Sequence, residues 1–384
     1  MKLDIVMNNK YAVGFGLSLL SLSVSAANHV ADGRGNGMGN TGVASGEYLV
    51  APFYNPALAA VIDESDDFAI LIPAGGVKVR DTDNAIKVID DVQKTYKKVQ
   101  SSPSTDLLAE LNGHLDSLAG HKPLTASGNI GVAAALPTNL VAANLFTSGY
   151  VEIIGVTDVA NKVSDSLTDT NQRIQDTNVD LVAFGYTEVG LALAKQLDLA
   201  GQRVSLGITP KFQKLTTYSQ NINVNDFELD EYDKGETNES AFNIDLGAVW
   251  LLGNFRAAFA IKDIMKQSIT TDTKYVYELK PQMTVGAAYT TEFFTVAADA
   301  DLTSQTRFVG VADDTQFVRL GAEANAWDWA QLRVGYEMDT KSTVDNSVTF
   351  GLGLSPFDVV NIDLAGSYAG NNQFGASASL GFTF

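Results

Sequence analysis

Side chains that commonly do chemistry are scarce in this 384-residue sequence. It has no cysteine, which removes thiolate metal sites, disulfides and cysteine nucleophiles together. The three histidines are His29, His114 and His121, and none falls in a segment that reads as a strand. A Ser/His couple or a His-bound metal therefore has nothing to build on, so no catalytic residue, metal or cofactor is expected, and an enzyme is the least favoured reading. The glycines around Asp32-Gly33-Arg34-Gly35-Asn36-Gly37-Met38-Gly39 suggest a phosphate loop at first sight, but no strand precedes them and no Gly-Lys-Ser/Thr follows. A net charge of −19 and a pI near 4.4 also oppose a nucleic-acid groove, which needs the opposite sign.

The charges with a position worth explaining are Asp245, Arg256, Asp299, Arg319, Glu323, Arg333, Glu337 and Asp363. Each sits on the polar side of a segment whose other side is apolar. Buried charges are tolerated when paired, so the chemistry they offer is an ion-pair network that ties a wall to whatever fills the space behind it. Ligand binding by the same groups is the alternative.

The elements that position them alternate with period 2. Phe374, Ala376, Ala378, Leu380, Phe382 and Phe384 share one face, and Gly375, Ser377, Ser379, Gly381 and Thr383 the other. Val348, Phe350, Leu352 and Leu354 oppose Ser347, Thr349, Gly351 and Gly353 in the same way. Such segments recur near 68–78, 126–136, 140–150, 179–194, 202–218, 240–251, 254–264, 281–290, 293–303, 315–326, 329–339, 345–354, 358–368 and 374–384. Short connections alternate with long ones at 79–125, 151–178, 219–239, 265–280 and 304–314, although the last two outer loops are short. A soluble sandwich would place large apolar residues inside and many charges outside. Here the polar face is Gly, Ser, Thr and Asn with single charges. A lipid bilayer accepts strands only in a closed barrel, so the expected fold is all-β: a transmembrane antiparallel β-barrel of about 14 strands, with both termini on the short-turn side.

The N-terminal residues read as a signal peptide, 1–26, with Lys2 and Lys10 before an apolar run and Val24-Ser25-Ala26 at the cleavage position. Residues 27–67 read as a plug, or hatch, and 68–384 as the barrel. Helical insertions are expected at about 83–119 and 157–176: Ile86, Ile89, Val92, Tyr96 and Val99 recur at steps of three and four, as do Leu107, Leu111, Leu115 and Leu118, while Val159, Val163, Leu167 and Ile174 suggest a third helix. They are expected to form a cap over the barrel mouth. Leu380, Phe382 and Phe384 resemble a C-terminal assembly signal read by the outer-membrane insertion machinery.

The Gly-rich lead followed by Phe53-Tyr54-Asn55-Pro56-Ala57 resembles the plug of the FadL-type long-chain fatty-acid transporters, and the fuller string resembles the conjugal-transfer TraF-like outer-membrane family related to them. The resemblance implies a 14-strand barrel, an N-terminal hatch, and passage of hydrophobic molecules through a side opening in the wall. From the residues themselves, Asn55, Pro56 and Ala57 suit a plug anchor, because Pro56 fixes φ and Asn55 bonds nearby backbone. The function expected is a plugged channel of the Gram-negative outer membrane for small hydrophobic or amphipathic molecules. The alternative is a structural or assembly component of a conjugation, secretion or adhesion system without transport. The expected partners are outer-membrane lipid, the insertion machinery and a hydrophobic small-molecule ligand, with no nucleic acid.

Overall fold

A computed structural model describes residues 32–62, 66–227, 235–311, 314–326, 329–356 and 359–384. The signal-peptide reading and His29 lie outside the described residues. The first half of the wall is β1 (Ala69–Arg80), β2 (Leu124–Leu136), β3 (Ala142–Asp158), β4 (Asn178–Leu199), β5 (Gln202–Asn223), β6 (Thr237–Leu252) and β7 (Phe255–Lys262). A short hairpin follows, β8 (Gln267–Thr270) and β9 (Val276–Leu279). The wall then resumes with β10 (Gln282–Thr290), β11 (Phe294–Asp301), β12 (Phe317–Ala326), β13 (Ala330–Asp339), β14 (Ser347–Leu354), β15 (Val360–Gly370) and β16 (Gln373–Thr383).

Every wall strand pairs antiparallel with its sequence neighbours, β7 pairs with β10 across the hairpin, and β1 pairs with β16. Fourteen strands thus close a barrel, which leaves no edge to be satisfied by lipid. The seam is finished by Phe384, whose carbonyl accepts from Asp67 N and Phe68 N and whose N–H donates to Phe68 O. Pro73 has no N–H to give the ladder, and β1 bulges there, with its register shifting between Leu71 and Ala74 against both neighbours.

The alternation read from the sequence sorts the two faces. Leu320, Leu332, Phe350, Leu364 and Tyr368 are at least half exposed although strongly apolar, whereas Arg319, Glu323, Arg333 and Glu337 on the opposite face are buried. A solvent-facing wall would invert this order, so the outer face is the lipid face. Trp250, Phe255, Phe293 and Trp329 are exposed at the short-turn end, where such aromatic residues mark a membrane boundary. No helix of the described residues is long and apolar enough to cross a membrane.

Three departures from the sequence reading occur at the long-loop end. First, β3 and β5 run past their expected ends, to Asp158 and to Asn223, while β4 starts at Asn178, as expected. Both faces of this extension are covered, so its hydrophobicity no longer alternates and periodicity alone does not reveal it. Second, helices α1 (Ala85–Ser101) and α2 (Thr105–Leu118) form as expected, but α3 spans only Leu167–Asp176. Residues 157–166 are not helical; Val163 is exposed, and Ser166 starts the helix by accepting from Asp169 N. Third, these helices do not cap the mouth. Their apolar side, Ile89, Val92, Leu111, Leu115 and Ile174, packs with Val151, Ile153, Val179, Leu181 and Ala183. Those strand residues alternate with lumen-facing Asn144, Glu152 and Glu188, so the helical layer leans on the outer wall. The mouth is filled instead from within by β8 and β9, whose Ile269, Tyr277 and Leu279 cluster with Phe184, Tyr186 and Phe308. Phe184 and Tyr277 stack with ring centroids 3.4 Å apart.

Candidate functional site

The site is the lumen and the segment that crosses it. Residues 32–62 fold as short helical turns, Gly33–Gly37, Tyr48–Val50, Ala51–Tyr54 and Pro56–Ala60. Asp32 starts the first turn by accepting from Arg34 N and Gly35 N. Burial pushes the Asp32 carboxyl above its ordinary range, against the opposing pull of the Gly35 N–H and the Arg34 charge.

The segment is too short to build a core of its own and borrows one from the wall. Its Met38, Val43, Leu49, Phe53 and Leu58 pack against Ala133, Ala135, Ala258, Ala260, Ala288 and Ala297, so large residues come from the segment and small ones from the strands. Phe53 meets Phe146 edge to face at 5.8 Å. At its closest points backbone lies on backbone. A Cβ added to Gly335 would stand 2.0 Å from Gly39 N, and one on Gly207 would stand 2.3 Å from Ala57 N. These positions are glycine because any side chain would push the segment off the wall.

Polar contacts fix the two ends to opposite walls. At the first end, Thr349 Oγ1 donates to Gly37 O and accepts from Gly39 N, while Asp299 accepts from Gly42 N and Val43 N at 2.8 and 3.0 Å. At the far end lie the three residues read as an anchor. Asn55 is fully buried; its Nδ2 donates to Val43 O and Ala248 O, and its Oδ1 accepts from Ala57 N. Pro56 opens the last turn, and Ala57 O accepts from Ser205 Oγ at 2.6 Å. Asn144 and Lys262 add bonds to the carbonyls of Tyr48, Leu49, Pro52 and Phe53.

Charges link the segment to the wall around these points. Arg34 makes a fork of two 2.8 Å bonds to Glu323, which also accepts from Arg333 at 2.6 Å, and Arg333 reaches Asp363 at 2.6 Å. Arg319 forks onto Asp301 at 2.8 and 3.1 Å. Glu337 holds Lys78 and Arg80 on one oxygen and Asn40 of the segment on the other. Asp245 belongs to a separate group, in which Lys211 lies within 2.8–3.3 Å of Asp263, Asp245 and Glu188.

Seven of the eight charges named from the sequence therefore stand in these contacts. Arg256 does not: among the described residues it forms no ion pair, since its place on β7 sets it opposite Leu251 and Ala288. Arg34, Lys78, Arg80, Glu188, Lys211, Asp263 and Asp301 complete the network and were not singled out. Alternation could have assigned Lys78 and Lys211 to the lumen, but nothing local tells Arg34, in the glycine run, that its partner lies 289 residues away.

The molecule is thus a transmembrane β-barrel whose lumen is occupied by its own N-terminal segment, an arrangement that fits a plug. The family model described as F plasmid transfer operon, TraF, protein matches residues 52–301, and the chain belongs to that family. Among solved structures, it is similar to a Pseudomonas aeruginosa FadL homologue, with a TM-score of 0.54, 12% identity and 94% of this chain aligned to 99% of that one. It is also similar to the Ralstonia pickettii toluene transporter TbuX, with a TM-score of 0.52, 12% identity and coverage of 91% and 97%. A mutant of the monoaromatic hydrocarbon channel TodX gives 0.53, 11% identity and coverage of 92% and 98%. These likenesses establish a FadL-like fold. No curated protein matches the chain.

Proposed function

We propose that the protein is a channel of the Gram-negative outer membrane for small hydrophobic or amphipathic molecules, with residues 32–62 as the plug that shuts it. The observation that carries this reading is a lumen crossed by residues 32–62, which are held to the wall by hydrogen bonds and ion pairs. A cavity beside it, lined by Asn36 and Asn40 among others, measures about 40 Å³, which is room for a water and too little for a hydrocarbon, so a hydrocarbon could pass there only if the segment shifted. Porin-poor Gram-negative cells expressing the chain should take up labelled toluene or octan-1-ol several-fold faster than cells without it. Equal uptake would favour the structural or assembly role, for which a pinned lumen is equally suited.

Membrane assembly is proposed to depend on Leu380, Phe382 and Phe384, which lie on the lipid side of β16 beside the seam. Deleting Phe384 removes both an aromatic and the backbone clasp to Phe68. Insertion, followed as the heat-modifiable band, is expected to fall far more than for Thr383→Ser. Equal insertion of the two variants would show that the terminal aromatic is only a lipid contact.

A further inference from the structure

The outer half of the lumen holds a second obstruction, separate from the N-terminal segment. β7 and β10 pair from Phe255 opposite Tyr289 up to Lys262 opposite Gln282, so the wall is already closed beneath residues 263–281. Those residues leave it, form the β8–β9 hairpin and return at one point, and the two short strands make a sheet of their own. Within the hairpin, Glu278 holds Lys266 and Lys280 at 2.6 and 3.0 Å, which ties it into one body. Its root is fixed. Asp263 turns the chain inward at φ 54°, with Lys211 2.8 Å away, Gln213 Nε2 donating to its carboxylate and its own N–H donating to Asp245. Further out, the bonds to the tall strands are at the long end: Thr273 N to Ser219 Oγ and Tyr275 Oη to Asp180 Oδ2 are both 3.2 Å.

The other side of the hairpin meets residues 307–309. Tyr277 lies opposite Phe308, and Glu278 N and Val309 N donate to Arg307 O and Val276 O at 3.0 and 2.9 Å. Arg307 is in turn anchored to β3, its Nε 2.6 Å from the buried Glu152. Residues 307–309 are therefore a post fixed to the wall, and Tyr277 rests against it: its ring stacks on Phe184 and meets Phe308 edge to face at 5.2 Å. Ile269, Tyr277 and Phe308 are each at most 2% exposed, so in this position they take the room that an apolar molecule entering from outside would need.

We infer that the β8–β9 hairpin is an outer gate in series with the plug, swinging beyond Asp263 and latched by Tyr277 against Phe184 and Phe308. The inference rests on the channel reading. Opening spares the fourteen-strand ladder, since the wall closes below the hairpin. What must break is the aromatic packing, the two bonds to residues 307 and 309, and the long side-chain bonds.

The chain has no cysteine, so an engineered pair can lock the gate without interference. Tyr277 and Phe308 form the non-hydrogen-bonded kind of antiparallel pair, whose Cα atoms stand about 4.5 Å apart, within disulfide reach. Cells carrying Tyr277→Cys with Phe308→Cys, the barrel confirmed by its heat-modifiable band, are assayed for uptake of labelled toluene after oxidation and again after reduction. Oxidised, they should take it up no faster than cells without the protein. Reduced, they should exceed the unmodified protein about two- to ten-fold, because the aromatic latch is gone. Equal uptake in the two states, with the disulfide formed, would overturn the gate. A second readout needs no transport. The Ile269→Cys thiol, buried while the hairpin is in place, should react within minutes with a membrane-impermeant maleimide added outside the cells. A thiol that stays unreactive until the barrel is unfolded would also overturn the gate. Reaction of that thiol with no uptake by the unmodified protein would remove the channel reading alone.

Discussion

Glu323→Ala should cost the folded barrel about 3–5 kcal/mol, because it leaves the buried guanidinium groups of Arg34 and Arg333 facing one another without their shared carboxylate. The effect is large since one carboxylate serves both the segment and the wall. Loss of the β12–β13 ion pair and release of the plug therefore occur together. The temperature at which the heat-modifiable band converts should drop, and the segment should become sensitive to protease in intact vesicles. Arg34→Met alone should loosen the start of the segment while leaving Glu323 paired to Arg333, so its thermal cost should be smaller. The double variant should then cost much less than the sum of the single ones. Strictly additive costs would mean that Arg34 and Glu323 do not act on each other in the membrane.

Leu352→Arg is expected to be the most damaging change on the outer face. Leu352 stands opposite Leu332 and Leu364 in a stretch of wall that is apolar on three adjacent strands, and a charge at mid-membrane there costs roughly 2–4 kcal/mol. Insertion yield should fall several-fold, whereas Leu354→Arg, nearer the turn, should be milder. Thr349→Arg would act by a different route, displacing Gly37 and Gly39 from the lumen side. Normal insertion of Leu352→Arg together with failure of Thr349→Arg would mean that the faces are reversed.

The barrel was legible in the sequence because a strand with lipid on one side and a filled lumen on the other must alternate, and Phe374 to Phe384 does so over a full crossing. Legibility ended where that contrast ended. The upper end of β3, beyond residue 150, is buried on both faces, by the helices outside and by the β8–β9 hairpin inside, and so it reads as loop. The hairpin itself has strands of only four residues, too short for a periodic signal. In the lumen, the alternation gave the side on which Glu323, Arg333 and Glu337 lie but not their partners. Ion pairs between β12, β13 and the N-terminal segment depend on barrel closure, which brings together residues hundreds of positions apart. The wall glycines carry no periodic signal of their contact either: Gly207, Gly247, Gly321 and Gly335 all lie under segment backbone or Asn55.

Residues 32–62 stand in the lumen, and as a plug they should close it. The direct test is the single-channel conductance, in planar bilayers, of the purified heat-modifiable barrel with and without residues 32–62. The intact protein should be nearly silent, and the shortened one should show openings of roughly ten-fold higher mean conductance, since the packed segment gives way to water in the part of the lumen that the β8–β9 hairpin does not fill. An inserted, heat-modifiable deletion variant as silent as the intact protein would contradict the account.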